Sequence, residues 1–357
     1  MPSANEGIRN AEIGRQVDLA RYSNGVVRRI IALLNRVDAD LMAQLAIAVD
    51  AMEGESFSID RLDSLLASVR DLNARAYQQV GETLATELRG LTDAEAAFQL
   101  RLFASQMPEL VSIASVNAEQ VYAAAMARPF QGRVLREWAS AIEQDRLIRI
   151  RDAIRMGVVE NQATPEIVRR IRGTRAGGYA DGLLEIDRRS AEAVTRTAVS
   201  YIAGFVRSAF YVANAEVVKA IVWTATLDSR TTLICQLRDG CQYTVDTHRP
   251  IGHAYPWLGG PGAAHWNCRS SSVALTKSYR ELGLPIDELT PTERASMDGA
   301  VPAETTYAEW LKAQSAARQD EILGPTRGRM MREGGYTLDR FANDKGRWLT
   351  LDELKAR

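Results

Sequence analysis

All three cysteines and all three histidines of this 357-residue chain lie between positions 235 and 268. His265 and Cys268 have the His-x2-Cys spacing at which two ligands on one turn bind the same metal ion. Cys235 and Cys241 form a looser pair, and Thr232 occupies the place of a Cys-x2-Cys partner for Cys235. One hypothesis is therefore a zinc site made of Cys235, Cys241, His265 and Cys268. The other is a compact loop-rich core without a cofactor, in which the cysteines are small buried apolar residues.

Nucleophilic catalysis is a second kind of chemistry that this segment could support. A cysteine thiolate activated by His265, with Asp228 or Asp246 orienting the imidazole, would have the generic arrangement of such a site. No local signature of a catalytic cysteine accompanies these residues, so we expect no catalytic residues and no enzyme activity. The glycines of "GGPG" (259–262) are not followed by Lys-Ser/Thr, which excludes a P-loop.

The sequence "DSR" (228–230) follows a predicted strand. An aspartate at a strand end commonly caps the next turn. Arg230 can donate two N–H groups to a carboxylate or a backbone carbonyl. We expect Asp228 and Arg230 to have a structural role.

The elements that must position these residues are a helix, a strand, a loop and a second strand. The segment 189–215 places apolar residues on one helical face, with Arg207 off that face. The β-branched segment "VVKAIVWTATL" (217–227) is typical of a strand, and "RSSSVALT" (269–276) predicts a second one. The Cys/His segment between them is rich in glycine and proline and is therefore predicted to be mostly loop.

The first half of the chain is predicted to be helical, because apolar residues recur at three- and four-residue steps. Ser58 or Asp60 would cap the second helix, which is expected to run to about Leu91. The capping-box spacing of "TDAE" (92–95) predicts that a new helix opens there. The sequence "NAEQ" (117–120) predicts a further helix start.

A basic stretch follows the break at "RPFQGR" (128–133). In "TPEIVRRIRG" (164–173), Thr164 is the expected N-cap and Pro165 the first helical residue. Ten arginines stand against six acidic residues between positions 133 and 175. This excess suits either a nucleic-acid contact or a solvated helix face. The residues that would contact nucleic acid are Arg169, Arg170, Arg172 and Arg175.

The overall composition excludes several classes of protein. The formal net charge is −1 and the isoelectric point is about 6.4, so the whole chain is not a strongly basic polyanion binder. The apolar runs are too short to span a bilayer. The first residues lack the pattern of a secretory signal, so we expect synthesis in a reducing cytoplasm.

The order of motifs resembles the phage Mu F-like minor head proteins, also called the phage head morphogenesis family. The segment "RTAVSYIAGFVRSAF" leads into "KAIVWTATLDSRTTLICQLRDG", and "HWNCRS" follows a Pro/Gly-rich loop. The resemblance covers roughly residues 130–357 and is firmest in 190–275. The residues that carry it are Trp223, Asp228, Arg230, Thr231, Cys235, Asp239, Gly240, His265, Cys268 and Arg269.

The resemblance implies a minor virion protein of a tailed phage or prophage. Such proteins associate with the portal vertex inside the head during procapsid assembly, and some are thought to contact DNA or accompany it at ejection. The expected partner is the portal protein, followed by scaffold, major coat protein and packaged DNA, with no membrane required. The expected location is the capsid interior near the portal, after synthesis in the host cytoplasm.

Together these features predict a mostly helical α+β protein in three parts. The parts are a helical bundle or arm at 1–129, a Mu F-like domain at 130–278, and an extension at 279–357 with one helix and a short tail. Two departures lower the expectation of metal: Thr232 lies where some relatives have a cysteine, and Ser270 follows Arg269 where many relatives have Cys-Arg-Cys. Two alternatives stay open: an enzyme or toxin-like protein that uses segment 228–269, and a zinc-stapled DNA-binding module.

Overall fold

A computed structural model of the protein describes residues 4–50, 59–160, 162–284, 293–302, 305–343 and 345–355. The chain is 61% helix and 8% strand, which confirms the mostly helical α+β class. The helices before the first strand are α1 (Ala4–Asp50), α2 (Ile59–Gln106), α3 (Ala118–Met126), α4 (Leu135–Val159), α5 (Thr164–Arg172) and α6 (Leu183–Ala213). The strands are β1 (Val218–Thr224), β2 (Gln242–Tyr243), β3 (Pro250–Ile251), β4 (Ser271–Thr276), β5 (Glu293–Ser296) and β6 (Gly299–Pro302). The short helices are α7 (Leu233–Gln236), α8 (Tyr307–Lys312), α9 (Ala316–Leu323), α10 (Pro325–Glu333), a 3-10 helix (Leu338–Phe341) and α11 (Leu351–Lys355).

The chain forms two compact units. Unit 1 contains Met1–Ala20, Leu91–Ala125 and Ser200–Arg357, and unit 2 contains Arg21–Gly90 and Met126–Val199. Both units therefore take residues from either side of position 129. The three parts expected from the sequence are not tested as folding units and stay a prediction.

Unit 1 contains a four-stranded antiparallel sheet in the order β3-β2-β1-β4. The two predicted strands pair directly, with Trp223 opposite Ser272 and Thr224 opposite Ser271. One face of this sheet packs with Phe103 and Phe210, whose rings meet edge to face at 5.0 Å between centroids. Burial of such apolar surface is the main stabilising contribution to a core of this kind. The pairing of β1 with β4 brings the two ends of the Cys/His segment together.

The core of unit 2 is made by apolar stripes on its helices. Buried residues of α4 and α5, including Ile150, Ile154 and Ile167, pack with Leu41 and Leu184. The stripes follow the three- and four-residue spacing read from the sequence. The helical interpretation of this region is therefore confirmed.

Three details of the helix boundaries differ from the predictions. α2 runs without a break through "TDAE", because the Glu95 carboxylate accepts a hydrogen bond from Arg15 Nε (2.9 Å) instead of capping a new helix. Thr164 is the first residue of α5 rather than its cap, and Ala163 precedes it as the N-cap. The C-terminal extension, predicted to contain one helix, contains α8, α9, α10, the 3-10 helix and α11, and Ser315 caps α9 and so separates it from α8.

Two other predicted helix starts can be compared with the structure. The Asn117 side chain accepts a hydrogen bond from the Gln120 amide (3.1 Å), which confirms the start of α3. The proposed cap Ser58 lies outside the described residues, and α2 begins at Ile59.

Candidate functional site

The cysteine and histidine side chains that meet in unit 1 come from α7 and from the turn before β4. Cys235 lies on α7, and His265 and Cys268 lie at the two ends of a tight turn in which the Cys268 amide bonds to the His265 carbonyl (3.3 Å). Asn267 takes a left-handed conformation with φ of 56°. Asparagine tolerates this region better than most residues. The local sequence "HWNC" therefore forms the turn that aims both side chains the same way.

Three ligand atoms converge at this point. The Cys235 Sγ lies 3.6 Å from the Cys268 Sγ and 3.2 Å from the His265 Nε2. All three atoms lie within 4.8 Å of one another. The Thr232 Oγ1 is 2.8 Å from the same His265 nitrogen. Two sulfurs and one imidazole nitrogen are a donor set that zinc prefers.

Cys241, the fourth predicted ligand, is not in this group. Its thiol donates a hydrogen bond to the Leu237 carbonyl at 3.6 Å, and burial raises the pKa of the thiol to about 11. The structure therefore brings together three of the four predicted ligands. Spacing along the chain gave no way to separate Cys241 from the others.

The orientation of His265 is fixed by the backbone. Its Nδ1 donates to the Trp266 carbonyl at 2.9 Å, so Nε2 faces the sulfurs. A carbonyl on the remote ring nitrogen is the usual way in which a protein orients a metal-binding histidine. Burial alone would lower the pKa of His265, but the hydrogen bond to Cys268 raises it above its ordinary value.

The two thiols have different ionisation tendencies. A hydrogen bond with Cys268, together with burial, raises the pKa of Cys235 well above its ordinary range. The same hydrogen bond, followed by His265, lowers the pKa of Cys268 well below its own. The Cys235–Cys268 pair therefore favours a Cys268 thiolate that accepts a hydrogen bond from the Cys235 thiol.

The loop glycine Gly262 supports the Cys268 sulfur. Its amide donates to the Cys268 Sγ at 3.2 Å, with φ of 89°. A Cβ at this position would lie 2.6 Å from the Ser200 carbonyl oxygen of α6. Only glycine fits such a close approach in the left-handed region. The "GGPG" sequence thus holds the loop against the helix.

Asp228 and Arg269 join the two ends of the motif series. Arg269 donates to both carboxylate oxygens of Asp228, at 2.6 and 2.8 Å. The same carboxylate accepts the Arg230 amide (3.0 Å) and the Thr231 hydroxyl (3.1 Å), as predicted for a capped turn. Burial alone would raise the pKa of Asp228, and Arg269 more than offsets it, so the pKa is lowered. The forked arginine is therefore Arg269, while the Arg230 side chain is exposed.

The remaining motif residues also have structural partners. Asp239 accepts the Ala225 amide (2.7 Å) and the Tyr307 amide (2.8 Å), so it ties the end of β1 to the start of α8. The Gly240 amide donates to the Trp223 carbonyl at 2.9 Å. The Trp223 ring is fully buried in the core of this region. Each of these residues is engaged inside unit 1.

The other histidines and Asp246 do not complete a catalytic arrangement with His265. The Nε2 of His253 is 2.8 Å from the Gln242 carbonyl, and His248 stacks on Trp257 at 4.5 Å between ring centroids. Asp246 accepts the amide of Thr247 at 2.7 Å. The aspartates considered for a catalytic triad thus bind other groups.

The four arginines considered for nucleic acid lie in unit 2, on α5 and the turn after it. Arg170 pairs with Glu160 at 3.0 Å, and the Arg172 guanidinium lies 4.8 Å from the centre of the Tyr179 ring. Arg169 and Arg175 are exposed. Two of the four side chains therefore have partners within the unit.

A buried ion network around Arg207 in unit 1 was not predicted from the sequence. Arg207, placed off the apolar face, is 1% exposed and donates to Glu12 (3.1 Å) and Glu95 (3.5 Å). Gln99 also donates to Glu12, at 2.6 Å. Burial raises the pKa of Glu12 to about 7. The signal that could have revealed the network is an arginine inside the apolar run "IAGFVRSAF" (202–210).

A second buried network lies in unit 2. Asp38 accepts hydrogen bonds from Arg146 (2.6 Å) and Arg188 (2.5 Å). Asp187 pairs with Arg149, and burial raises the pKa of Asp187 to about 6. These groups stabilise helix packing rather than a binding site.

Comparison with protein-family models, with curated proteins and with solved structures gives no match to this chain. Among the described residues, no helix has both the length and the apolar character that crossing a membrane requires.

Proposed function

We propose that this chain is a minor head protein of a tailed phage or prophage that associates with the portal vertex inside the head. The proposal rests on the ordered motif series between Trp223 and Arg269. The structural observation that supports it is the bidentate pair of Asp228 and Arg269, at 2.6 and 2.8 Å, which joins the first and last parts of that series. The two ends of the series therefore lie together in one folding unit.

A structural role suits the burial of the motif better than catalysis does. Cys235 and Cys268 are 2% and 1% exposed, and a nucleophile must be reached by its substrate. The carboxylates of Asp228 and Asp239 accept hydrogen bonds from backbone amides, and the Asp228 carboxylate also binds Arg269. Both observations favour a structural role for the motif over catalysis. The portal, scaffold and coat protein enter the proposal as partners only through the resemblance of the motif series.

Contact with packaged DNA is part of the proposal for unit 2. Arg169, Arg172 and Arg175 are exposed on α5 and the turn that follows. Binding of these groups to phosphates would release counterions and weaken steeply with salt. We expect the log–log salt slope of duplex binding by the full chain to become shallower by up to about 3 when these three arginines are changed to glutamine. Binding that keeps the same salt slope in that variant would contradict this assignment.

The test of the head-protein function is quantitative mass spectrometry of gradient-purified particles from the source phage or induced prophage. We expect this chain at fewer copies than the coat protein and at a fixed ratio to the portal protein. Absence from both procapsids and mature particles would overturn the proposal.

A matched pair of variants links that test to the structure. Arg269→Gln removes the bond to Asp228 and is expected to lower incorporation into particles. Arg280→Gln changes an exposed arginine of the same unit and is expected to leave incorporation unchanged. Equal incorporation of both variants would contradict the role given to the motif.

A further inference from the structure

The spacing of the Cys235, His265 and Cys268 ligand atoms matches what one tetrahedral ion requires. With sulfur about 2.3 Å and nitrogen about 2.0–2.1 Å from zinc, ligand atoms around one ion stand roughly 3.5–3.8 Å apart. The sulfurs are 3.6 Å apart, and the Cys235 sulfur is 3.2 Å from the His265 nitrogen. The third pair, the Cys268 sulfur and the His265 nitrogen, lies within 4.8 Å, so an ion at their centre requires shifts of at most about 1 Å.

The groups around these three atoms orient them as metal ligands. The Trp266 carbonyl binds the remote nitrogen of His265, which leaves Nε2 directed at the sulfurs. The Gly262 amide donates to the Cys268 sulfur, which stabilises a thiolate. Outer contacts of this kind set the tautomer and charge of the ligands before an ion arrives.

The cluster has an exposed neighbour at Thr232. Both cysteines are buried, whereas Thr232 is exposed and its hydroxyl lies 2.8 Å from His265 Nε2. Cys241 is engaged with the Leu237 carbonyl. A fourth ligand therefore has to come from solvent, on the side of Thr232.

We propose that Cys235, His265 and Cys268 bind one Zn²⁺ ion, with a water molecule as the fourth ligand beside Thr232. Two thiolates and an imidazole select zinc over hard divalent cations such as Mg²⁺ or Ca²⁺. The ion links α7 to the turn before β4, two parts of the chain that are about 30 residues apart. This inference goes beyond the head-protein proposal. Particle composition tests the head-protein function, and metal content tests the zinc site.

The first experiment measures the metal content of the full chain, purified from zinc-supplemented cells without chelator. We expect one zinc per chain by inductively coupled plasma mass spectrometry. After removal of zinc, titration with Co²⁺ should give the thiolate charge-transfer absorption and the intense visible bands of a tetrahedral site. A chain that takes up neither metal, or whose two cysteines are found as a disulfide after reducing purification, would overturn the proposal.

The second experiment assigns the ligands with variants. His265→Ala and Cys268→Ser should weaken Co²⁺ binding by more than about 100-fold, because loss of an outer partner alone costs roughly 10- to 100-fold. Cys241→Ser is the matched control and should leave the affinity and the charge-transfer intensity unchanged. Loss of the metal in Cys241→Ser would overturn the three-ligand site. Circular dichroism of each variant separates ligand loss from misfolding, and the wild-type Co²⁺ spectrum stands independently of any variant.

Discussion

Unit 1 contains two buried groups of ionisable side chains that are built in opposite ways. The buried ion network of Glu12, Glu95 and Arg207 is called the helical network below. Both carboxylates bind Arg207, so the network contains its own cation. The Cys/His cluster brings two sulfurs and an imidazole nitrogen together. The guanidinium next to it in sequence, Arg269, is bound to Asp228.

The two groups neutralise buried charge in different ways. An isolated buried charge is costly, so it is paired, neutralised by a proton, or bound to a metal. In the helical network Glu95 binds Arg15 and Arg207, and burial raises the pKa of Glu12 to about 7, which favours the protonated form of Glu12. The Cys/His cluster instead presents converging donors, for which a divalent cation is the natural partner.

The largest expected effect is the loss of the internal cation. Arg207→Leu should lower the free energy of unfolding by about 3–5 kcal/mol, because it removes the guanidinium bound to both buried carboxylates and leaves Glu12 with the neutral Gln99 amide instead of a cation. Urea denaturation measures this change. Adding Glu12→Gln and Glu95→Gln to the same chain should recover part of the loss. If the triple variant loses as much free energy of unfolding as Arg207→Leu alone, packing and not charge is responsible. That result would contradict the charge-balancing role given to Arg207.

Removal of the proposed zinc is expected to have the next largest effect. At a free zinc concentration 100 times the dissociation constant, binding adds about 2.7 kcal/mol to the free energy of unfolding. Chelation should therefore lower the melting temperature of the wild type. The Cys268→Ser variant should show no response to chelator. An equal response in both proteins would mean that the metal acts elsewhere.

The raised pKa of Glu12 predicts that the free energy of unfolding decreases as the pH rises. Glu12 has a pKa of about 7 in the folded chain and an ordinary value of 4.5, so the folded state holds a proton that the unfolded state releases. Its contribution is complete below pH 4.5 and is lost as the pH rises through about 7, by up to about 1.4 kcal/mol per unit.

The measurement is urea denaturation at pH 5, 6 and 7 for the wild type and Glu12→Gln. The variant should show a flatter decline, because it cannot release the proton. Asp187 in unit 2, with a pKa raised to about 6, contributes a decline of the same sign that ends earlier. A parallel decline in wild type and Glu12→Gln would assign the effect to other groups.

The smallest expected effect is the coupling between Asp228 and Arg269. The carboxylate is mostly buried while the arginine is 38% exposed, so we expect about 1–2 kcal/mol from a double-mutant cycle with Asp228→Asn and Arg269→Gln. The half-exposed i,i+4 pair Glu192 and Arg196 is a control, where the coupling should not exceed about 0.5 kcal/mol. Equal couplings would remove the structural importance given to the motif pair.

Features that depend on near neighbours in the chain were predictable from the amino-acid sequence. The apolar spacing predicted the helical core of unit 2, the β-branched segments predicted β1 and β4, and "HWNC" predicted two side chains on one turn. The start of α3 at Asn117 followed from capping chemistry. These predictions hold because a few consecutive residues contain both the signal and the structure it causes.

Contacts between residues that are distant in the chain depend on how whole elements pack. Glu95 and Thr92 have the spacing of a capping box, but α2 continues because the Glu95 carboxylate binds Arg15 and Arg207 across the core. Arg207 and Glu12 are 195 residues apart, a contact that no local pattern encodes. Cys241 is separated from the other cysteines in the same way. Which carboxylate receives a guanidinium, and which sulfur faces the imidazole, depends on the packing of whole elements and not on the spacing of residue types.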